Sequence, residues 1–162
     1  MDALSSPPPN LQKLVLVGKL EKVPQWFCSL QSLTYLFLHW SRLEEDPLPH
    51  IAALPHLGSF DLTNAYVGKQ LCFNTGFPKL TTLCICNSPQ LNEITIEKGV
   101  MPNLKTLWIE KCMELKTVPN GIEHLNLQEL IVRYVSVELN NCIKEESGVD
   151  FPKVQHIPKI YR

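Results

Sequence analysis

The pattern L-x-x-L-x-L returns six times along the chain. It stands at Leu11-Leu14-Leu16, Leu33-Leu36-Leu38, Leu57-Phe60-Leu62, Leu80-Leu83-Ile85, Leu104-Leu107-Ile109 and Leu127-Leu130-Val132. Successive first positions lie 22, 24, 23, 24 and 23 residues apart. One such hexad could arise by chance where 25 of 162 residues are leucine, but six in register mark a repeat. A unit this short cannot bury its apolar face alone, so each must be covered by the units before and after it. A weaker seventh unit is read at Val154-x-x-Ile157, after a gap of 27, and ends the array.

Within each hexad the alternation is that of a short strand, so Leu36 and Leu38 point inward while Tyr35, Phe37 and His39 point outward. Neighbouring units then add parallel strands about 4.8 Å apart. The returns carry Pro24, Pro47, Pro49, Pro89 and Pro119, which argues against long helices there. Pro9, Pro55, Pro78, Pro102 and Pro152 each stand two residues before a first apolar position and end the preceding return. Leu43, Leu91, Leu115 and Val118 are expected to fill the layer beneath the strands. The period lies inside the leucine-rich-repeat range of roughly 20–29 residues. The predicted fold is therefore an α/β leucine-rich-repeat solenoid: a horseshoe with a parallel β-sheet on its concave face and mostly irregular convex returns with few helices. Residues 1–10 form a lead-in, 11–135 the repeats, and 136–162 a terminal half-repeat and cap. Three residues after the last strand apolar come Ser41, Ala65, Ser88 and Cys112, where many repeats carry Asn. Small residues there resemble intracellular repeats and predict a buried Cys112.

Charge is nearly balanced, 15 basic against 16 acidic residues, so the basic footprint of a nucleic-acid or anionic-membrane binder is missing. Uncharged stretches such as Leu48 to Ser59 are interrupted by Pro49 and Pro55, and no membrane span is expected. Six cysteines occur without a C-x-x-C pair, the first nine residues lack an apolar signal core, and no N-x-S/T site exists. Reduced thiols and a cytoplasmic location are the simplest expectation.

Four phrases carry a resemblance: LEKVPQWFCSLQSL (20–33), FPKLTTLCI (77–85), MPNLKTLWIEKCMELKTVPNGIEHL (101–125) and KVQHIPKI (153–160). Together they resemble the C-terminal leucine-rich repeats of plant intracellular nucleotide-binding immune receptors, particularly the coiled-coil class of cereals. The motif L-K-x-V-P-x-G-I-x-x-L at Leu115 to Leu125 is the most specific part. The resemblance implies a module that restrains a nucleotide-binding domain of the same receptor and recognises a pathogen effector, directly or through a guarded host protein. The phosphate loop G-x-x-x-x-G-K-[ST] does not occur, so no nucleotide or other cofactor is expected on these residues. With only ten residues before Leu11, the first coil lacks a cap, and the chain is expected to be a fragment or a truncated gene product.

The candidate surface is the outward face of the strands. Its middle column reads Val15, Phe37, Asp61, Cys84, Trp108 and Ile131, flanked by Val17, His39, Thr63, Cys86, Glu110 and Arg133, and by Lys13, Tyr35, Ser59, Thr82, Thr106 and Glu129. Tyr35, Phe37, His39, Trp108 and Ile131 form an apolar-aromatic patch rimmed by Asp61, Glu110 and Arg133. Aromatic residues and Arg are enriched at binding hot spots, and exposed apolar patches mark contact sites. Trp26 and Trp40 are assigned to packing between coils. A rival assignment is the substrate-binding arm of a ubiquitin-ligase adaptor. A second is a thiol or metal protein built on Cys84, Cys86 and His39, but two repeats, about 10 Å, separate His39 from the cysteines, too far to share one zinc. Neither G-x-S-x-G nor H-E-x-x-H is present, and Glu44-Glu45-Asp46 reads as a solvated turn, so neither metal nor catalysis is expected.

Overall fold

The computed structural model describes residue 8 and residues 10–162. The lead-in 1–7 and Pro9 lie outside the described residues. The hexads fold as five-residue strands: β1 (Lys13–Val17), β2 (Tyr35–His39), β3 (Ser59–Thr63), β5 (Thr82–Cys86), β7 (Thr106–Glu110) and β8 (Glu129–Arg133). With β9 (Lys159–Tyr161) they make a seven-stranded parallel sheet in the order β1-β2-β3-β5-β7-β8-β9. Its register is continuous, running Leu14↔Leu36↔Phe60↔Leu83↔Leu107↔Leu130. The inward residues of β2 to β8 are buried, whereas Leu14 and Leu16 of β1 are only half-buried.

Each coil is clamped to the next at both strand ends. At the entrance, two consecutive N–H groups donate to one carbonyl of the preceding coil: Gly58 and Ser59 to Thr34 (2.9 and 3.0 Å), Lys105 and Thr106 to Thr81 (2.9 and 3.0 Å). At the exit, the residue after each of β1, β2, β3, β5 and β7 turns with positive φ and donates to the last strand carbonyl of the following coil. Trp40 N–H bonds Thr63 O at 2.9 Å, and Asn87 N–H bonds Glu110 O at 2.8 Å. The small residues just beyond, Ser41, Ala65, Ser88 and Cys112, are all buried, as the sequence pattern implied. Cys112 Sγ lies 3.5 Å from Glu110 O of its own turn and 3.6 Å from Ile85 O of the preceding coil, so the thiol has carbonyl acceptors on both coils.

The returns are irregular, as their prolines dictate, and hold two short 3-10 turns (Gln25–Ser29, Ile122–His124) and helix α1 (Leu48–Ile51). The predicted pegs Leu43, Leu91, Leu115 and Val118 are buried. A second, two-stranded parallel sheet pairs β4 (Gln70–Phe73) with β6 (Glu93–Ile96) on the return side, with Leu71, Phe73, Ile94 and Ile96 buried. This sheet was not predicted.

After β8 the chain forms α2 (Val137–Cys142) and α3 (Phe151–Val154) before β9. Ser136 caps α2: its buried hydroxyl accepts from Leu139 N–H (3.1 Å) and donates to Leu115 O (2.7 Å). Asp150, also buried, accepts from Val118 N–H (3.3 Å) and pairs with Lys153 (2.8 Å), tying the terminal segment to the preceding coil. The seventh unit is shifted from the sequence expectation. Leu130 pairs with Ile160, so the hexad starts at Ile157, while Val154 belongs to α3 and Pro152 opens that helix. Val154 and Ile157 are both buried three residues apart and imitate the repeat.

Close approach between coils restricts two positions to glycine. Gly76 and Gly121 have positive φ (85° and 88°), and a Cβ would stand 2.1 Å from Ala52 O and 1.9 Å from Ile96 O respectively. Gly99 has the same conformation (φ 87°) with open space around it. Gly99→Ala is therefore expected to cost about 1 kcal/mol, the left-handed strain alone. Gly121→Ala should cost more than about 2 kcal/mol, because the backbone clash adds to that strain. Urea unfolding of the two variants measures the difference directly.

Candidate functional site

Because the ladder is in register, every outward side chain falls into one of three columns across the concave face. In β2 the alternation aligns Tyr35, Phe37 and His39 along one strand. The Tyr35 and Phe37 rings stack at 6.4 Å and 17°, and His39 meets the Phe37 ring edge-on at 6.0 Å. Lys13 of β1 places its Nζ 5.5 Å from the Phe37 centroid. On the other side His39 Nε2 lies 3.4 Å from Asp61 Oδ1, outside hydrogen-bond alignment. The same carboxylate oxygen accepts from Thr63 Oγ1 at 2.6 Å, which fixes its rotamer. This corner is an aromatic ledge with a cation on one flank and a carboxylate on the other.

Three strands away, Trp108 Nε1 donates to Glu110 Oε2 at 3.0 Å, and Lys111 Nζ stands 3.8 Å from Glu110 Oε1. Arg133 is exposed beside them. The structure thus groups Tyr35, Phe37, His39 and Asp61 at one end of the face and Trp108, Glu110 and Arg133 at the other. Ser59, Thr82 and Cys84 lie between them. Ile131 departs from the expected patch. It holds its place in the middle column but is 8% exposed, flanked in register by Trp108 and by Tyr161 of β9. It supports the surface rather than presenting itself. The alternation could have located Tyr161 only with the seventh unit in its observed register.

Trp40 also differs from the assignment to packing: its side chain is 55% exposed at the strand exit, whereas Trp26 packs edge-on against buried Phe27 at 5.0 Å. In the acidic turn Glu44 and Glu45 are exposed, as expected, while Asp46 is half-buried. Glu45 accepts from Val23 N–H (2.5 Å) and Asp46 from Leu48 N–H (2.9 Å), and burial raises the Asp46 carboxyl above its ordinary value. No group of three or more metal-ligating side chains converges among the described residues. No helix there is long and apolar enough to cross a membrane.

A leucine-rich repeat region family matches residues 1–150. The chain belongs to this leucine-rich repeat family. Its relatives include the disease resistance protein RPM1 of Arabidopsis thaliana, 45% identical over 152 residues and 93% of this chain. RPH8A and RPP8, disease resistance proteins of the same plant, are each 35% identical over 154 residues. The chain spans 16% of the length of RPM1 and 17% of RPH8A and RPP8. It is a leucine-rich repeat solenoid related to plant disease resistance proteins, and its parallel ladder is the fold that this family membership calls for.

The thiols of this repeat face are quiescent. Burial, with Asp61 nearby, pushes Cys84 up to about 11. Burial, then Cys84, Asp61, Glu110 and Cys112 push Cys86 up to about 12. Both therefore stay protonated at neutral pH, and the thiolate needed for attack or soft-metal ligation is scarce. The folded state holds these protons more tightly than an unfolded thiol at 9.0. Their contribution to stability is therefore complete below pH 9 and is lost as pH rises through 11–12. The urea midpoint is expected to fall between pH 8 and pH 11, and to fall less in a Cys84→Ala/Cys86→Ala variant. At pH 7.5 a thiol reagent should modify exposed Cys28 well before Cys84, Cys86 or buried Cys112.

Proposed function

We propose that this repeat region is the non-catalytic recognition and regulatory module of a plant intracellular nucleotide-binding immune receptor, of the coiled-coil class that its phrasing resembles. It works in the cytoplasm. Its concave face contacts protein: a pathogen effector, a guarded host protein, or the nucleotide-binding domain of the same receptor. The observation that carries this is the Tyr35–Phe37 stack, with Tyr35 exposed and Phe37 half-buried, on a sheet face that water alone would leave polar. Family membership and the disease resistance relatives support the receptor over a ubiquitin-ligase adaptor.

The chemistry suits recognition. Stacked rings lose little conformational freedom on binding, and Asp61, Glu110 and Arg133 at the margins select for complementary charge. In the intact receptor expressed in leaf tissue, Phe37→Ala and Trp108→Ala are each expected to alter the defence response, by loss or by constitutive signalling, at unchanged protein level. A response identical to wild type in both variants would contradict the proposal.

A further inference from the structure

The outward columns of the seven-stranded sheet carry three carboxylates, Asp61, Glu110 and Glu129, and only two of them have a cation. Glu129 Oε1 pairs with Lys159 Nζ at 3.2 Å. Glu110 accepts from Trp108 Nε1 and has Lys111 Nζ at 3.8 Å. Asp61 pairs with no lysine or arginine among the described residues. Through residues 34–40, 58–64 and 81–87, its own strand and both neighbours with their flanking turns, it is the one carboxylate, and lysine and arginine are absent. Lys13 of β1 is two strands away, about 10 Å, and lies over the Phe37 ring instead.

The geometry around Asp61 leaves a place for a charge from outside. Thr63 Oγ1 donates to Oδ1 and fixes the rotamer, while Oδ2 receives no donor among the described residues. His39 approaches without bonding: its Nε2 is 3.4 Å from Oδ1 but out of line. In register, Phe37 stands on one side of Asp61 and Cys84 on the other. The Asp61 side chain is 18% exposed, so it is recessed between the aromatic ledge and a neutral thiol. A recessed carboxylate is screened less by water and salt than one standing free. Its field is felt locally, since after burial Asp61 is among the causes that hold Cys84 and Cys86 protonated.

A protein group that reaches such a carboxylate must carry positive charge at the end of a slim stem, which means lysine or arginine. Arginine alone also stacks its planar head on aromatic faces, and Phe37 and His39 border the site. Resting on the reading of the concave face as a protein contact, we propose that Asp61 and the Phe37–His39 wall form a slot for one arginine side chain of the partner. Oδ2 receives the guanidinium, and the rings and Cys84 flank its stem. Lys13 and Arg133, two and three strands off on either side, hold the favoured position for positive charge to the middle of the sheet.

The test follows the amide resonances of the isotope-labelled chain during titration with acetyl-Gly-Arg-Gly-amide, with acetyl-Gly-Glu-Gly-amide as control. The arginine peptide is expected to shift Phe37, His39, Asp61 and Cys84 saturably, and the glutamate peptide to leave them in place. Asp61→Asn keeps an acceptor for Thr63 and removes only the charge, and should weaken binding about tenfold or more. Glu110→Gln should retain it. Undiminished arginine binding in Asp61→Asn, or wild-type shifts centred on Glu110 or Glu129, would overturn the inference. Should Asp61→Asn fail to fold, the wild-type shift map alone decides. No saturable shift while Phe37→Ala still alters the leaf response would remove the arginine slot and leave protein recognition by this face standing. Saturable binding at Asp61 with a wild-type leaf response in both Phe37→Ala and Trp108→Ala would do the reverse.

Discussion

Each coil of this protein buries its leucines only because the next coil covers them. The coupling is the parallel backbone ladder, held at the strand entrance by paired N–H donors on one carbonyl and at the exit by the left-handed residue. Everything else depends on that ladder's staying in register. Inward residues form one continuous core, outward residues fall into columns, and side chains distant in sequence become neighbours on a face. The half-buried state of Leu14 and Leu16 at the first strand shows the same dependence, since among the described residues no strand pairs with β1 on its outer side.

Burial and exposure divide the aromatic residues by task. Phe60, Phe73 and Phe77 form a buried cluster beneath the sheet, with Phe73 and Phe77 edge-on at 5.6 Å. Tyr35, Phe37 and Trp108 stand on the concave face, where hydrogen bonds and stacking fix their rotamers without removing them from solvent. Trp40 and Tyr134 stand at the strand exits, at positions that a fold optimised only for stability would give to glycine or asparagine. The same short repeat therefore carries exposed aromatic rings in two settings, one set by strand alternation and one by the turn.

The six strands were legible because period and alternation agree, and every outward column was read in its observed register. The seventh was misread because Val154, inside a short helix, stands three residues before Ile157 just as two strand leucines would. Pro152 imitated the prolines that end the returns. That slip hid Tyr161, and with it the burial of Ile131. The β4–β6 pair escaped because four-residue apolar alternations in a proline-bearing return look like pegs, and only the neighbouring coil decides whether they pair. Trp40 was misassigned because hydrophobicity alone cannot separate an interior ring from one turned outward by a left-handed backbone.

One strand carries a structural side chain and an outward one at adjacent positions. Leu107 is buried in the core and Trp108 lies on the open face. Urea unfolding of Leu107→Ala and Trp108→Ala tests this most directly. Leu107→Ala is expected to cost about 2–5 kcal/mol, as a cavity in a close-packed layer does, and Trp108→Ala distinctly less. A larger loss from Trp108→Ala would reverse the inward and outward faces and contradict the account.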